Sequence, residues 1–247
     1  FSEFRRDLHV STPYVPKPSL PHYLCIDWGY SGRAGHEGAF AAYLIALLPM
    51  EYMGERFNRV FVYKEWYDRG KDPYEWAEKI FKETPTKGLN KIIGDSAMFN
   101  PQTDGSRPIM TMMTDRWNEL NNGAWASTDK GTKNRIQRVA TLHNWLSIAP
   151  DGLPYLLIGE NCPHLIRTLP LLVYDDNRVE DVDTTAEDHP YDALTYGLSH
   201  IKFVSAKLGG VEIKTEDRSI PKSPIHELDL SAFETARKKD KIDWRTV

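Results

Sequence analysis

The sequence predicts an α/β domain with a mixed central β-sheet, part antiparallel meander and part parallel strands, flanked by helices. Two observations support this prediction. Three apolar, strand-like runs follow one another near the start of the chain, with no helical pattern between them. Stretches with helical spacing of apolar residues then alternate with short apolar runs. Consecutive strands favour an antiparallel arrangement, and alternating strands and helices favour parallel strands.

The antiparallel part is predicted from three runs in the first third of the chain. Residues 23–26 are short and apolar, residues 38–48 form a long apolar run, and residues 59–67 alternate in part. Their lengths and compositions are typical of strands. The first run ends in Asp27 and a glycine-rich turn, which places that carboxylate at the edge of the sheet.

The second part alternates helices with short strands. Helices are predicted, from apolar residues at helical spacing, over residues 73–83, 109–120, 135–146 and 162–169. Short strands are predicted at residues 91–94, 124–127 and 155–158. A last helix is predicted to begin near Asp188, since Pro190 suits a first helical turn. Asp72 suits the N-cap of the helix over residues 73–83. The order β-β-β-α-β-α-β-α is that of a ribonuclease H-like domain.

Composition divides the chain and limits its function. Residues 1–21 are polar and proline-rich and are predicted to be a linker, residues 22–203 the folded domain, and residues 204–247 a flexible tail. The net charge of −4 restricts any nucleic-acid contact to a local patch. The two cysteines, Cys25 and Cys162, lack metal-site spacing and favour a reducing compartment. No apolar run reaches the roughly 18 residues of a membrane span, so no membrane partner is expected.

Three aspartates occupy comparable positions in the predicted fold. Asp27 follows the first strand, Asp95 follows the fourth strand, and Asp192 lies on the last helix. In the predicted sheet the first and fourth strands are neighbours, so these carboxylates would meet and repel one another unless cations bind them. Oxygen ligands favour Mg²⁺ or Mn²⁺. The sequence therefore predicts a site in which two divalent ions support attack of water on a phosphodiester.

Neighbouring residues extend this candidate site. Asp188 and His189 lie one helical turn before Asp192 and are further candidate metal ligands. Structural interpretations remain open, because Asp27 suits a turn, Asp95 suits a helix cap, and acids are favoured at helix starts. A satisfied surface histidine is equally compatible with His189.

A basic segment precedes the helix at 135–146. Its cations are Lys130, Lys133, Arg135 and Arg138. Such a cluster is typical of a surface that binds DNA phosphates, and a solvated helix face is the alternative.

Five short segments together resemble the C-terminal nuclease domain of the large terminase subunit of tailed bacteriophages. They occur in the order of that family, within residues 22–203: Ile26-Asp27-Trp28-Gly29, Ile93-Gly94-Asp95-Ser96, Lys130-Gly131-Thr132-Lys133-Asn134-Arg135-Ile136, Pro163-His164-Leu165-Ile166-Arg167 and Asp188-His189-Pro190-Tyr191-Asp192-Ala193-Leu194. The segment that begins at Asp188 and the segment that begins at Pro163, which Cys162 precedes, make the resemblance specific.

The resemblance implies an endonuclease that cuts concatemeric double-stranded DNA when packaging begins and ends. It implies that Asp27, Asp95 and Asp192 are metal ligands and that His189 lies beside the metals. Its expected partners are an ATPase motor domain that precedes residues 1–21, a small terminase subunit and a capsid portal, in the cytoplasm of the host cell. The chain has no phosphate-binding loop of its own, so we expect cutting without translocation.

Other functions are compatible with parts of the pattern. A resolvase or transposase would share the fold, but no segment resembles a domain that binds specific DNA ends. An actin-like ATPase would use the turn at Asp27 for phosphates, but it needs a second phosphate loop and a longer chain. A non-catalytic module that docks on a portal or on DNA would tolerate loss of Asp27.

Overall fold

The computed structural model describes residues 1–29, 39–84, 89–172, 174–175, 178–182 and 187–205. The predicted glycine-rich turn after Gly29 and nearly all of the predicted tail lie outside the described residues. None of the helices within the described ranges is long and apolar enough to span a membrane.

The centre of the sheet is the antiparallel meander that the sequence predicts. Strands β2 (His22–Trp28), β3 (Phe40–Tyr52) and β4 (Glu55–Asp68) pair antiparallel in chain order. The first half of β3 is buried on both faces, which explains its continuous apolar run. Met53 and Gly54, both with positive φ, make the tight turn between β3 and β4.

Parallel strands extend the meander on both sides. Strand β5 (Leu89–Gly94) pairs with β2, and β6 (Ser127–Lys130) pairs with β5. On the other side, β7 (Leu156–Gly159) pairs with β4, and β1 (Val10–Ser11) pairs with β7. The strand order β1-β7-β4-β3-β2-β5-β6 confirms the predicted mixed sheet.

The helices follow the predicted order. Their bounds are α1 (Arg6–His9), α2 (Pro73–Glu83), α3 (Ile109–Asn121), α4 (Arg135–Leu146), α5 (Pro163–Thr168) and α6 (His189–His200). Asp72 caps α2 as predicted, since its Oδ1 accepts the backbone N–H groups of Tyr74 and Glu75. Helix α6 lies across β2 and β3 and packs against α4.

A glycine brings α6 close to the sheet. A Cβ on Gly197 would clash with Cys25 Sγ on β2. The approach therefore depends on the missing side chain. This close approach sets the distance of His189 and Asp192, both on α6, from the end of β2.

The structure differs from the predictions in three segments. Residues 1–21 are not a linker throughout, because α1 and β1 join the domain and the Nε2 of buried His9 donates to the Leu146 carbonyl. Strand β6 starts three residues later than predicted and takes up the start of the basic segment. The segment between α5 and α6, for which no strand is predicted, contains an antiparallel pair, β8 (Tyr174–Asp175) and β9 (Arg178–Val182).

Candidate active site at the ends of two parallel strands

Asp27 and Asp95 are neighbours because β2 and β5 end side by side. In their parallel pairing Ile26 aligns with Gly94, and the Asp95 N–H donates to the Ile26 carbonyl at 2.9 Å. Each aspartate is the residue that follows a member of this aligned pair. The sheet thus brings both to the edge where carboxyl ends of parallel strands meet, a common location for α/β sites.

Asp27 is a buried carboxylate whose surroundings oppose its charge. The residue is about 5% exposed, and its Oδ2 accepts the Nδ1–H of His189 at 2.7 Å. Burial raises the pKa of Asp27 to about 7, with further increases from the charges of Asp192 and Asp95, although His189 opposes the shift. Asp192 and Asp95 therefore both lie within electrostatic reach of Asp27.

His189 approaches Asp27 over a glycine. A Cβ on Gly29 would lie 2.6 Å from His189 Cε1 and would also clash with the Ala39 carbonyl. The hydrogen bond to Asp27 is the main cause that raises the pKa of His189. His189 is thus a bonded partner of the carboxylate and not an isolated surface side chain.

Asp192 lies one turn after His189 on α6, and it pairs with Arg138 of α4. Arg138 Nη1 donates to Asp192 Oδ1 at 2.8 Å. Burial raises the pKa of Asp192, and the nearby positive charges of Arg138 and Arg135 oppose this increase. Arg138 is about 2% exposed, which disfavours its predicted contact with DNA phosphates. Its charge faces the carboxylate instead of solvent.

Asp95 and Asp188 lie at the starts of helices within the same cluster. Asp95 Oδ1 accepts the Ala97 N–H at 3.3 Å and so caps a short 3-10 helix, Ser96–Phe99. The capping interpretation and the position beside Asp27 therefore both apply to Asp95. Asp188 occupies the N-cap position of α6, but its side chain makes no capping hydrogen bond. Burial and the charge of Asp192 raise its pKa to about 6.

The basic segment begins beside these acids. Lys130 ends β6 opposite Gly94, and the Gly131 N–H donates to the Gly94 carbonyl at 2.7 Å. Lys130 and Lys133 are exposed, and Arg135 is half-exposed. We call Lys130, Lys133 and Arg135 the cationic rim; of these, Arg135 lies within electrostatic reach of Asp188 and Asp192.

The donor set suits a divalent cation that binds together with a phosphate. Among the described residues, no group of three or more His, Cys, Asp or Glu side chains forms a ready-made metal cluster. Asp27, Asp95 and Asp192 each have one oxygen bonded to a protein donor. Mg²⁺ in phosphoryl-transfer sites takes only one or two carboxylates and completes its shell with water and substrate oxygens. The carboxylates present fit that mode of binding.

Comparisons with known proteins bear on the fold. No protein-family profile and no curated protein matches the chain. Among solved structures, it is similar to the P22 large terminase nuclease domain, with 10% identity, a TM-score of 0.55, and coverage of 78% of this chain and 88% of that one. A mutant of gp2c from the large terminase subunit of bacteriophage sf6 with calcium also aligns, with 12% identity, a TM-score of 0.43, and coverage of 72% and 88%.

The P22 likeness establishes the class of fold. At 10% identity it shows a shared architecture, over most of both chains. The chain therefore has the fold of a large-terminase nuclease domain. The predicted mixed sheet flanked by helices, and the terminase-nuclease type of architecture that the resemblance implies, are confirmed at the level of the fold.

Sequence reasoning missed the role of Arg138, although a signal was present. Arg138, Leu142 and Leu146 recur every four residues, so Arg138 lies on the apolar stripe of α4. A charged residue on such a stripe is expected to be buried and to need a partner. That pattern separates Arg138 from the exposed Lys130 and Lys133.

Proposed function

We propose that the chain is a metal-dependent endonuclease that cuts double-stranded DNA, as a large-terminase nuclease does. The observation that carries the proposal is the convergence of Asp27, Asp95 and Asp192 at one edge of the sheet. Burial raises the pKa of Asp27, repulsion from Asp192 and Asp95 adds to the increase, and divalent cations relieve repulsion of this kind. The shared fold and the cationic rim beside the acids support the same conclusion.

In the proposed mechanism each group of side chains has its own task. Asp27, Asp95 and Asp192 would hold two divalent ions, Mg²⁺ or Mn²⁺, and Asp188 is a further candidate ligand. When bound, these ions supply an activated water and charge stabilisation at the phosphodiester. His189 orients the Asp27 carboxylate through its Nδ1–H. Lys130, Lys133 and Arg135 bind flanking phosphates and so fix the strand without reading its bases.

The proposed setting is viral DNA packaging. We infer that the domain works with an ATPase motor, a small terminase subunit and a capsid portal in the host cytoplasm. The motif resemblance and the terminase-type fold support this assignment. It predicts cutting of duplex DNA with little sequence preference.

Plasmid cleavage tests the proposal directly. The wild-type protein is incubated with supercoiled plasmid and Mg²⁺ or Mn²⁺, with and without EDTA, beside Asp95→Asn and the surface variant Asp104→Asn. We expect metal-dependent nicking and linearisation by the wild type and by Asp104→Asn, and none by Asp95→Asn. Cleavage that persists in EDTA, or full activity of Asp95→Asn, would refute the proposed site. A protein that binds DNA but never cuts it would be a docking module.

A further inference from the structure

Arg138 is a cation that the protein places among the acids of the candidate site. Its Nη1 donates to Asp192 Oδ1 at 2.8 Å and to Thr195 Oγ1 at 3.4 Å, and its side chain is almost fully buried. Removing a guanidinium from water is costly, and apolar residues often replace buried ion pairs without loss of stability. Stability alone therefore gives no reason for an arginine on the apolar stripe of α4.

Two aromatic rings of α6 restrict the guanidinium further. Arg138 Cζ lies 4.7 Å from the ring centroid of Tyr196 and 5.7 Å from that of Tyr191. Tyr196 is itself packed against the start of the basic segment, because a Cβ on Gly131 would clash with its ring. The guanidinium is thus held over two rings and beside Asp192, in one defined direction.

A second buried arginine shows what a purely structural pair looks like here. Arg59 donates to both oxygens of Asp151, at 2.7 and 2.9 Å, and its Nε donates to the Pro154 carbonyl at 2.7 Å. Arg138 contacts one oxygen of Asp192, and its buried Nε has no hydrogen-bond partner among the described residues. A buried polar group left unsatisfied costs stability, so the Arg138–Asp192 pair is less well satisfied than the Arg59–Asp151 pair.

We propose that Arg138 is a positioning residue that acts through Asp192. By holding Oδ1, it orients the Asp192 carboxylate for cation binding and offsets part of the repulsion between Asp192 and Asp27. This inference rests on the proposed function, since it assigns Arg138 a role in assembling the same site. Arg138 does not contact DNA in this account.

The test compares conservative changes at the two buried arginines. Mn²⁺ affinity is measured by calorimetry, and unfolding temperature by a thermal scan, for the wild type, Arg138→Lys, Arg138→Met and Arg59→Lys. Loss of a partner that orients a metal ligand typically weakens metal affinity by about 10- to 100-fold. We expect that loss in both Arg138 variants and wild-type affinity in Arg59→Lys. Arg59→Lys should lose at least as much unfolding temperature as Arg138→Lys, so a loss of metal affinity confined to the Arg138 variants is separate from general destabilisation.

DNA binding without metal supplies a second readout. Arg138→Lys and the wild type should bind duplex DNA equally in EDTA, because the guanidinium faces Asp192. Wild-type or tighter Mn²⁺ binding in both Arg138 variants would overturn the inference alone. No Mn²⁺ binding by the wild-type protein would overturn the proposed function and this inference with it.

Discussion

Two carboxylates on the central strands, Asp27 on β2 and Glu65 on β4, are both at least half-buried but have different surroundings. Burial raises the pKa of both. Glu65 accepts the N–H groups of His164 and Leu165, at 3.0 and 2.9 Å, and the Tyr43 hydroxyl at 3.1 Å. Asp27 accepts from His189 and lies within electrostatic reach of two further aspartates.

The difference separates a structural acid from a candidate functional one. Three donors surround Glu65, and two of them are the first free N–H groups of α5. Its carboxylate therefore caps the N-terminus of α5. Among the described residues, His189 is the donor to Asp27, which adds to a concentration of like charge. Hydrogen bonding satisfies the first site within the protein, whereas the like charge at the second site is what cations would balance under the proposed function.

The largest expected effect is on cleavage by Asp27→Asn. A bound metal ion contributes several kcal/mol of transition-state stabilisation, so we expect activity to fall by about 10³-fold or more. The unfolding temperature at neutral pH should stay the same or rise, because the amide removes a buried charge without changing the shape. Initial cleavage rates and thermal scans check the two outcomes.

Glu65→Gln is the matched control, with the same change from acid to amide. Its NH₂ group faces backbone N–H donors, so we expect a loss of about 1–3 kcal/mol in unfolding free energy. Cleavage by the folded fraction should be unchanged. If Glu65→Gln abolished cleavage as fully as Asp27→Asn, the contrast between the two carboxylates would be wrong.

Gly197→Ala should disturb the surroundings of Asp27 by moving α6, which carries His189 and Asp192. The added methyl group meets Cys25 Sγ and pushes α6 away from β2, which carries Asp27. We expect a loss of about 1–3 kcal/mol in unfolding free energy, as for other overpacked cores. Denaturant titration measures it, and Cys25→Ala in the same chain should restore part of the loss. A double variant no more stable than Gly197→Ala would contradict the assigned contact.

The pH dependence of stability should also distinguish Asp27. Its pKa rises from 3.8 in the unfolded chain to about 7 in the fold. Between these values the folded state holds a proton that the unfolded state has lost, so this group lowers stability as pH rises. Without metal, the advantage of Asp27→Asn in unfolding free energy should grow from about pH 4 to about pH 7. An advantage independent of pH would contradict the raised pKa.

The smallest expected effect concerns the cationic rim. Replacing Lys130, Lys133 and Arg135 with glutamine should weaken DNA binding and lower the salt dependence by about one unit of slope for each lost phosphate contact. Affinity measured at several salt concentrations gives this slope. An unchanged slope would make the rim an ordinary solvated surface.

Much of the fold could be predicted because its signals are local. Apolar periodicity marks the meander and the helices, and Asp72 marks the start of α2. Strand β6 has the polar sequence Ser-Thr-Asp-Lys, and β1 has only two residues. Neighbouring strands hold both in place, and no local pattern shows such pairing.

The candidate site divides in the same way. The acids at strand ends could be predicted, since topology alone brings Asp27 and Asp95 together. The Arg138–Asp192 pair joins residues 54 positions apart, on helices whose packing no local pattern determines. The space beside Gly29 that admits the His189 ring also depends on tertiary contact, which no local pattern shows.

A crystal of the protein soaked in Mn²⁺ would show whether the three aspartates bind divalent cations. We expect anomalous density bounded by the carboxylates of Asp27, Asp95 and Asp192, and no such density in crystals of Asp27→Asn. A wild-type crystal with no density there, or with Mn²⁺ bound only elsewhere on the surface, would contradict the proposed site.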